Sequence, residues 1–243
     1  MKTLGIVGWM ILLAPGLTFA GNEVGNGGGA WVCRNSQDEV RWIQLVDLFE
    51  AEHEPGLPQM DLPGDPIQIT SQILERLHRV NRDLSVPIAE ELARLRNFTS
   101  TNVEFTHEVL RVVDDSLYRV IPETTGRCGR RDVIRYEQVV NYRSSSQVVV
   151  QEDLFRALSA LDQAALVFHE AVYADRRRRR SEADSVISRR MVGLLFAGIS
   201  DEELAQGLAP WATPFIRQPE FVRVEPGTFL MGSPAEPSQH VTP

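Results

Sequence analysis

The sequence predicts an α+β fold, a small antiparallel sheet packed with helices in one domain, and three observations carry this. Residues 67–95 and 152–208 repeat apolar side chains at helical spacing. Residues 101–150 instead hold short runs rich in valine, isoleucine and tyrosine, the composition of half-buried strands. A further strand pattern, Ala30-Trp31-Val32-Cys33, lies near the start, so the order is strands, helices, strands, helices.

Residues 1–20 have the form of a secretory signal: Lys2 supplies positive charge, Leu4 to Leu17 an apolar stretch, and Thr18-Phe19-Ala20 a small-residue cleavage site before Gly21. That stretch is too short to span a bilayer comfortably, Pro15 interrupts its end, and no later stretch is longer and apolar. No cysteine stands at the cleavage point to carry a lipid. The expected product is exported, periplasmic or secreted, and does not span the membrane once the signal is removed.

Gly21 to Gly29 is rich in glycine and asparagine. Gly25, Gly27 and Ala30 fit the spacing of a dinucleotide fingerprint, but that motif needs a strand before it and a helix after it. The stretch is therefore read as a flexible leader. Ala30 to Cys33 and Glu39 to Leu45 form a hairpin about Ser36-Gln37-Asp38, and Val46 to Glu54 is an acidic helical segment.

A loop dense in proline and glycine, Pro55 to Pro66, separates this opening from two core helices. Ile67, Ile73, Leu74, Leu77 and Val80 stripe the first, and Ile88, Leu92 and Leu95 the second. His78 lies beside the first stripe, as a histidine hydrogen-bonded at a helix edge would. Strands are expected at Leu117 to Ile121, Val133 to Tyr142 and Gln147 to Gln151, with Gly126 and Gly129 placing Cys128 in a turn. Helices then return from Glu152 to about Leu208. Ser181-Glu182-Ala183-Asp184 has capping-box spacing, and Ile187, Met191, Leu194, Leu195 and Gly198 form one face of the last long helix. The domain thus covers residues 21–208, and residues 209–219, with three prolines, form a linker.

Charge and composition exclude several functions. The net charge is −8 and Lys2, inside the signal, is the only lysine. A mature chain without lysine has no Schiff base, P-loop lysine or lysine base. An acidic exported protein is also ill suited to neutralising phosphates, so nucleic acid is not an expected partner. Cys33 and Cys128 are the only cysteines, and export makes a disulfide between them the expected state. In the chain-entropy model such a loop contributes about 4 to 5 kcal/mol.

The chemistry-bearing stretch is residues 161–190, the most apolar helical pattern after the signal. His169 and Tyr173 lie four apart and share a face, with Leu166 one turn below and Glu170 about 100° round. In the zinc peptidase motif His-Glu-x-x-His, two imidazoles hold the metal and the glutamate activates its water. Tyr173 stands in the second ligand position here, and a phenol binds zinc well only as phenolate, with an ordinary pKa near ~10. A divergent zinc site would use His169 and Tyr173 as ligands, Asp184 as a further one, and Glu170 as general base. His53, His78 and His107 are other candidate ligands, in segments whose approach in space the sequence does not give. The competing reading is a structural network in which His169 or Glu170 pairs with an arginine or with Tyr173, because a buried charge needs a partner. The dipeptide alone decides nothing, since His53-Glu54 and His107-Glu108 repeat it. Arg176 to Arg180 follows as a solvated turn at the carboxyl end of the helix, complementing its dipole; a site for an anionic glycan or lipid head group is the functional alternative.

Two resemblances follow from these residues. Gly25-Asn26-Gly27-Gly28 before Cys33, the acidic segment Leu45 to Glu50, and Ala165 to Tyr173 followed by Asp184-Ser185 and Val192-Gly193-Leu194-Leu195 resemble a family of small exported bacterial proteins. These begin with a Gly-Asn-Gly-Gly leader and carry a His-Glu-Ala-x-Tyr helix. The resemblance implies export and a shared architecture, and no reaction. Separately, Pro226-Gly227-Thr228-Phe229-Leu230-Met231-Gly232-Ser233, with its surroundings over residues 220–243, resembles the start of a formylglycine-generating or sulfatase-modifying factor domain. That family implies oxidation of a cysteine in a target protein. Its reactive residues would lie beyond Pro243, so none falls on a position of this sequence. Together these features imply an exported accessory or binding domain, acting on an envelope protein or glycan and attached to an incomplete formylglycine-generating-type domain, with a zincin-like metallohydrolase as the alternative.

Overall fold

The computed structural model of the chain describes residues 27–113, 122, 127–144, 147–182 and 184–212. They form an α+β fold with two small sheets and a set of helices around one long central helix. The first sheet has the order β2-β1-β4, with β1 at Gly29–Arg34, β2 at Val40–Leu45 and β4 at Val133–Gln138. Both pairings are antiparallel. The second has the order β3-β6-β5, with β3 at Val103–Thr106, β5 at Val140–Tyr142 and β6 at Val148–Gln151. Here β3 runs parallel to β6 and β5 antiparallel to it.

The sequence therefore located strands correctly around 133–151 but joined them wrongly. Val133 to Tyr142 is two strands meeting at Val139, one in each sheet, because Gly28 inserts its carbonyl there and accepts from both Val139 N and Val140 N at 3.1 and 3.0 Å. The expected strand Leu117 to Ile121 lies outside the described residues, as do the signal, Gly126 and residues 213–243 with the formylglycine-type motif.

Helix α5, Ala160–Arg180, is the spine of the fold. Ser159 caps it, accepting from Asp162 N at 3.1 Å, and Ala164 to Tyr173 is buried continuously. A helix apolar all round is one that other elements surround. Around it pack α1 (Val46–Glu52), α2 (Pro66–Val80), α3 (Arg82–Leu95) and α6 (Val186–Leu195), while α4 (Glu152–Ala157) packs on β2 and β6 and α7 (Asp201–Leu208) on α2 and α6. Ile69, Ile73 and Leu77 bring α2 into the core and Ile88, Leu92 and Leu95 bring α3; Ile67, placed in the stripe by its spacing, is 56% exposed at the first turn.

Four local expectations are corrected. Gly27 to Gly29 is no flexible leader: it is buried, because it threads between β5 and α5 where side chains would collide. The arginine run is no turn: α5 continues through Arg180 and ends at Ser181, whose left-handed φ of 54° terminates it. Ser181 thus closes one helix instead of opening the next, and the capping box does not form; Glu182 turns back to Arg176, 2.6 Å from its Nε. Finally, the linker begins later than its prolines suggest, since Ala209–Trp211 is a 3-10 turn and Trp211 packs against the core.

Candidate functional site

His169, Glu170 and Tyr173 lie midway along α5 and each is 0% exposed. Their burial follows from the apolar residues on every side of this helix, so each polar atom must find a partner inside the protein. His169 Nδ1 lies 2.6 Å from Asp47 Oδ1 on α1, and Asp47 is 1% exposed. The pairing holds the imidazole in one orientation. Nε2 faces the other way and has no hydrogen-bond partner among the described residues.

Glu170 turns toward the sheets. Its Oε1 accepts the Gly28 N–H at 2.5 Å, and its backbone carbonyl accepts the Tyr142 hydroxyl at 3.3 Å. Gly28 is glycine for a steric reason: a Cβ there would sit 2.3 Å from Leu166 Cδ1 and 3.3 Å from Glu170 Oε1. Gln138 fastens the same segment, donating from Nε2 to Gly27 O at 2.5 Å and to Val140 O at 2.9 Å. The Tyr173 ring packs edge-on to Tyr142 with centroids 5.9 Å apart, and the Arg177 guanidinium lies 4.9 Å from the Tyr142 centroid and 5.6 Å from that of Tyr173. Such contacts favour a cation over the ring face.

The electrostatics follow from this burial. Desolvation alone would lower the His169 pKa, but the Asp47 carboxylate more than offsets it, and the net shift is upward from 6.5. Glu170 is raised from 4.5 because burial disfavours its charge, with His169 and the Gly28 N–H opposing only in part. Burial also raises Tyr142 well above 10.0, reinforced by the Glu170 carboxylate.

Asp184 does not join this group. It is exposed just ahead of α6, where Oδ1 accepts the Val186 N–H at 3.1 Å in a local turn, while Ser185 holds the N-cap position without a side-chain cap. His78 Nδ1 lies 2.9 Å from Ser85 Oγ, His53 Nδ1 2.8 Å from Phe49 O, and the exposed His107 lies 3.2 Å from Asp153. Tyr173 does share the neighbourhood of His169, with ring centroids 6.4 Å apart. Among the described residues, the set of histidine, cysteine, aspartate and glutamate side chains with ligand atoms in common reach is Cys33, Cys128 and Asp132. Its two cysteines are joined in the expected disulfide, Cα to Cα 5.9 Å.

Sequence reasoning missed the partners. Asp47 and Glu50 on α1 face α5 and α6, where Glu50 forms an ion pair with Arg189 at 3.5 Å, both under a tenth exposed. The available signal was Asp47 itself, an acid set directly among Val46, Leu48 and Phe49. Gly193 lets α6 come close to α1, since a Cβ there would approach Ala51 Cβ to 3.1 Å. Beside it a cavity of about 140 Å³ is lined by Glu50, Arg189, Arg190 and Trp211 among others.

No family model, curated protein or solved structure matches the chain. No helix among the described residues is long and apolar enough to cross a membrane.

Proposed function

We propose that this chain is an exported α+β domain that serves as a non-catalytic binding or targeting module of the cell envelope, carried ahead of the formylglycine-generating-type sequence at residues 220–243. Its partner is an envelope protein or glycan. The observation that supports it is the use made of Glu170: the carboxylate that the helix motif would use as a base is fully buried and accepts the Gly28 N–H at 2.5 Å. A general base must reach a water or substrate. The disulfide between Cys33 and Cys128 fits an oxidising compartment.

A second reading, a divergent zincin-like hydrolase, is favoured by one feature. Asp47 occupies His169 Nδ1 and leaves Nε2 without a partner among the described residues, the arrangement in which a carboxylate orients a metal-bound histidine. In it His169 and Tyr173 hold zinc, Asp184 would have to come in from α6, and Glu170 activates water.

One experiment separates the two. The mature full-length chain, purified without chelators, is assayed for bound metal and for co-sedimentation with isolated envelope fragments. The binding reading expects no stoichiometric metal, saturable sedimentation, and a Glu170→Gln variant, whose amide oxygen can still accept the Gly28 N–H, that sediments as the parent does. Zinc at one equivalent, lost in His169→Ala, would replace it with the hydrolase reading.

A further inference from the structure

Cys33, Cys128 and Asp132 lie apart from the polar core, and their ligand atoms are all within 4.8 Å of one another. We propose that they form a latent soft-metal site, masked by the disulfide and opened by an external dithiol. On reduction the Cys33 and Cys128 thiolates and the Asp132 carboxylate take up one zinc-type divalent ion, with a solvent water completing four-coordination. The proposal is independent of the function argued above.

Three features of the geometry support it. First, the donor set is that of zinc: thiolates and a carboxylate bind it at about 2.0 to 2.3 Å, which places ligand atoms roughly 3.5 to 4 Å apart in a tetrahedron. Cys33 Sγ already lies 4.0 Å from Asp132 Oδ2. Second, two ligands are held in place before any metal arrives. Cys33 is 0% exposed in the central strand, paired with Trp42 on one side and Ile134 on the other. Asp132 Oδ2 accepts the Gly129 N–H at 3.0 Å, an outer contact of the kind that orients metal ligands. Third, the remaining ligand sits on the loop, where movement is cheapest. Cys128 is half-buried and lies outside any strand, so it can draw back from bonding distance to ligand distance without disturbing β1 or β4.

The chemistry balances. The dithiol gives up two electrons and two protons, becoming its own disulfide, and the Cys33–Cys128 bond becomes two thiols. Metal uptake then releases two protons as both sulfurs coordinate as thiolates. Two thiolates and a carboxylate around a divalent ion leave one negative charge, in a loop that also carries Arg127, Arg130 and Arg131. In an oxidising compartment the disulfide persists, so the site is closed until a reductant reaches Cys128.

The test uses the mature full-length chain and cobalt(II), whose bonds to thiolates absorb in the near ultraviolet. Oxidised protein is expected to show no such band. After reduction by dithiothreitol and its removal under anaerobic conditions, one equivalent of cobalt should bind with the band intensity of two thiolates. Cys128→Ser should lose about half that intensity, and Asp132→Asn should bind roughly tenfold more weakly or worse. Reduced protein that takes up no cobalt, that loses its far-ultraviolet helical signal on reduction, or whose Asp132→Asn variant binds as tightly as the parent would overturn the proposal.

Discussion

Asp47 and His169 are each worth more to the fold as a pair than either is alone. Both are buried, and their separation is 2.6 Å. Removing one partner strands a charge, whereas replacing both with apolar groups of similar volume removes the desolvation cost as well. His169→Ala should therefore destabilise by about 3 to 5 kcal/mol, and the double change Asp47→Leu with His169→Leu should cost clearly less. Urea unfolding of the parent and the two variants measures this; equal losses in both variants would mean that the pairing contributes nothing. Gly28 is limited by volume instead of charge. Gly28→Ala should cost about 1 to 3 kcal/mol, because Leu166 must yield to the new methyl. The sequence singled out His169 and Glu170 from their apolar helix, but their partners lie 122 and 142 residues away along the chain. No periodicity encodes such a distance. Gly28 was legible only as a glycine, and its reason appears only when Leu166 stands beside it.

At the scale of elements, the charged residues decide how helices end. Arg76 on α2 is 6% exposed and donates to Leu195 O at 3.0 Å, Ala197 O at 2.8 Å and Ile199 O, with Asp201 Oδ1 3.2 Å from its Nε. One guanidinium thus satisfies carbonyls left over at the end of α6 and neutralises the start of α7. Arg76→Met keeps most of the volume and strands those carbonyls, so a loss of about 2 to 4 kcal/mol is expected. Hydrogen exchange should show the amides of α6 and α7 opening before those of α5; uniform weakening would refute the local role. The run at the end of α5 works similarly, with Arg176 on Glu182, Arg178 on Glu91 of α3, and Arg179 2.6 Å from Asp175. Arg178 to Arg180 are exposed, as five consecutive arginines suggested, but the sequence does not display the acids of α3 that meet Arg178 and Arg179. Helix positions were legible from 3.6-residue spacing, whereas strand partnership was not, since the split of residues 133–142 between two sheets depends on the Gly28 carbonyl.

For the whole molecule, the buried acids and His169 set a common direction with pH. His169 is raised from 6.5, so its contribution is fully present below that value and is lost as pH rises through its folded pKa. Glu170, Asp162 and Asp175 are each raised by burial from 4.5, 3.8 and 3.8, and for a raised acid the sign is the same: the folded state holds the proton more tightly, and stability falls as pH climbs past the unfolded value. Glu52 runs the other way. Burial would raise it, but Arg127 and Gln44 lower it overall, so its contribution is lost as pH falls through its folded pKa. Glu203, held low by its hydrogen bonds with Ser200, runs with Glu52, so four groups oppose two and place the stability maximum on the acidic side of neutrality. The melting temperature at constant ionic strength should rise from pH 9 to pH 6 and turn down only in the carboxylate range, about pH 4. In His169→Gln the limb between pH 6 and 9 should flatten, since the group that titrates there is gone while the acids remain. A parent protein that melts at the same temperature at pH 6 and pH 9, or higher at pH 9, would mean that the Asp47 pairing does not outweigh the burial of His169.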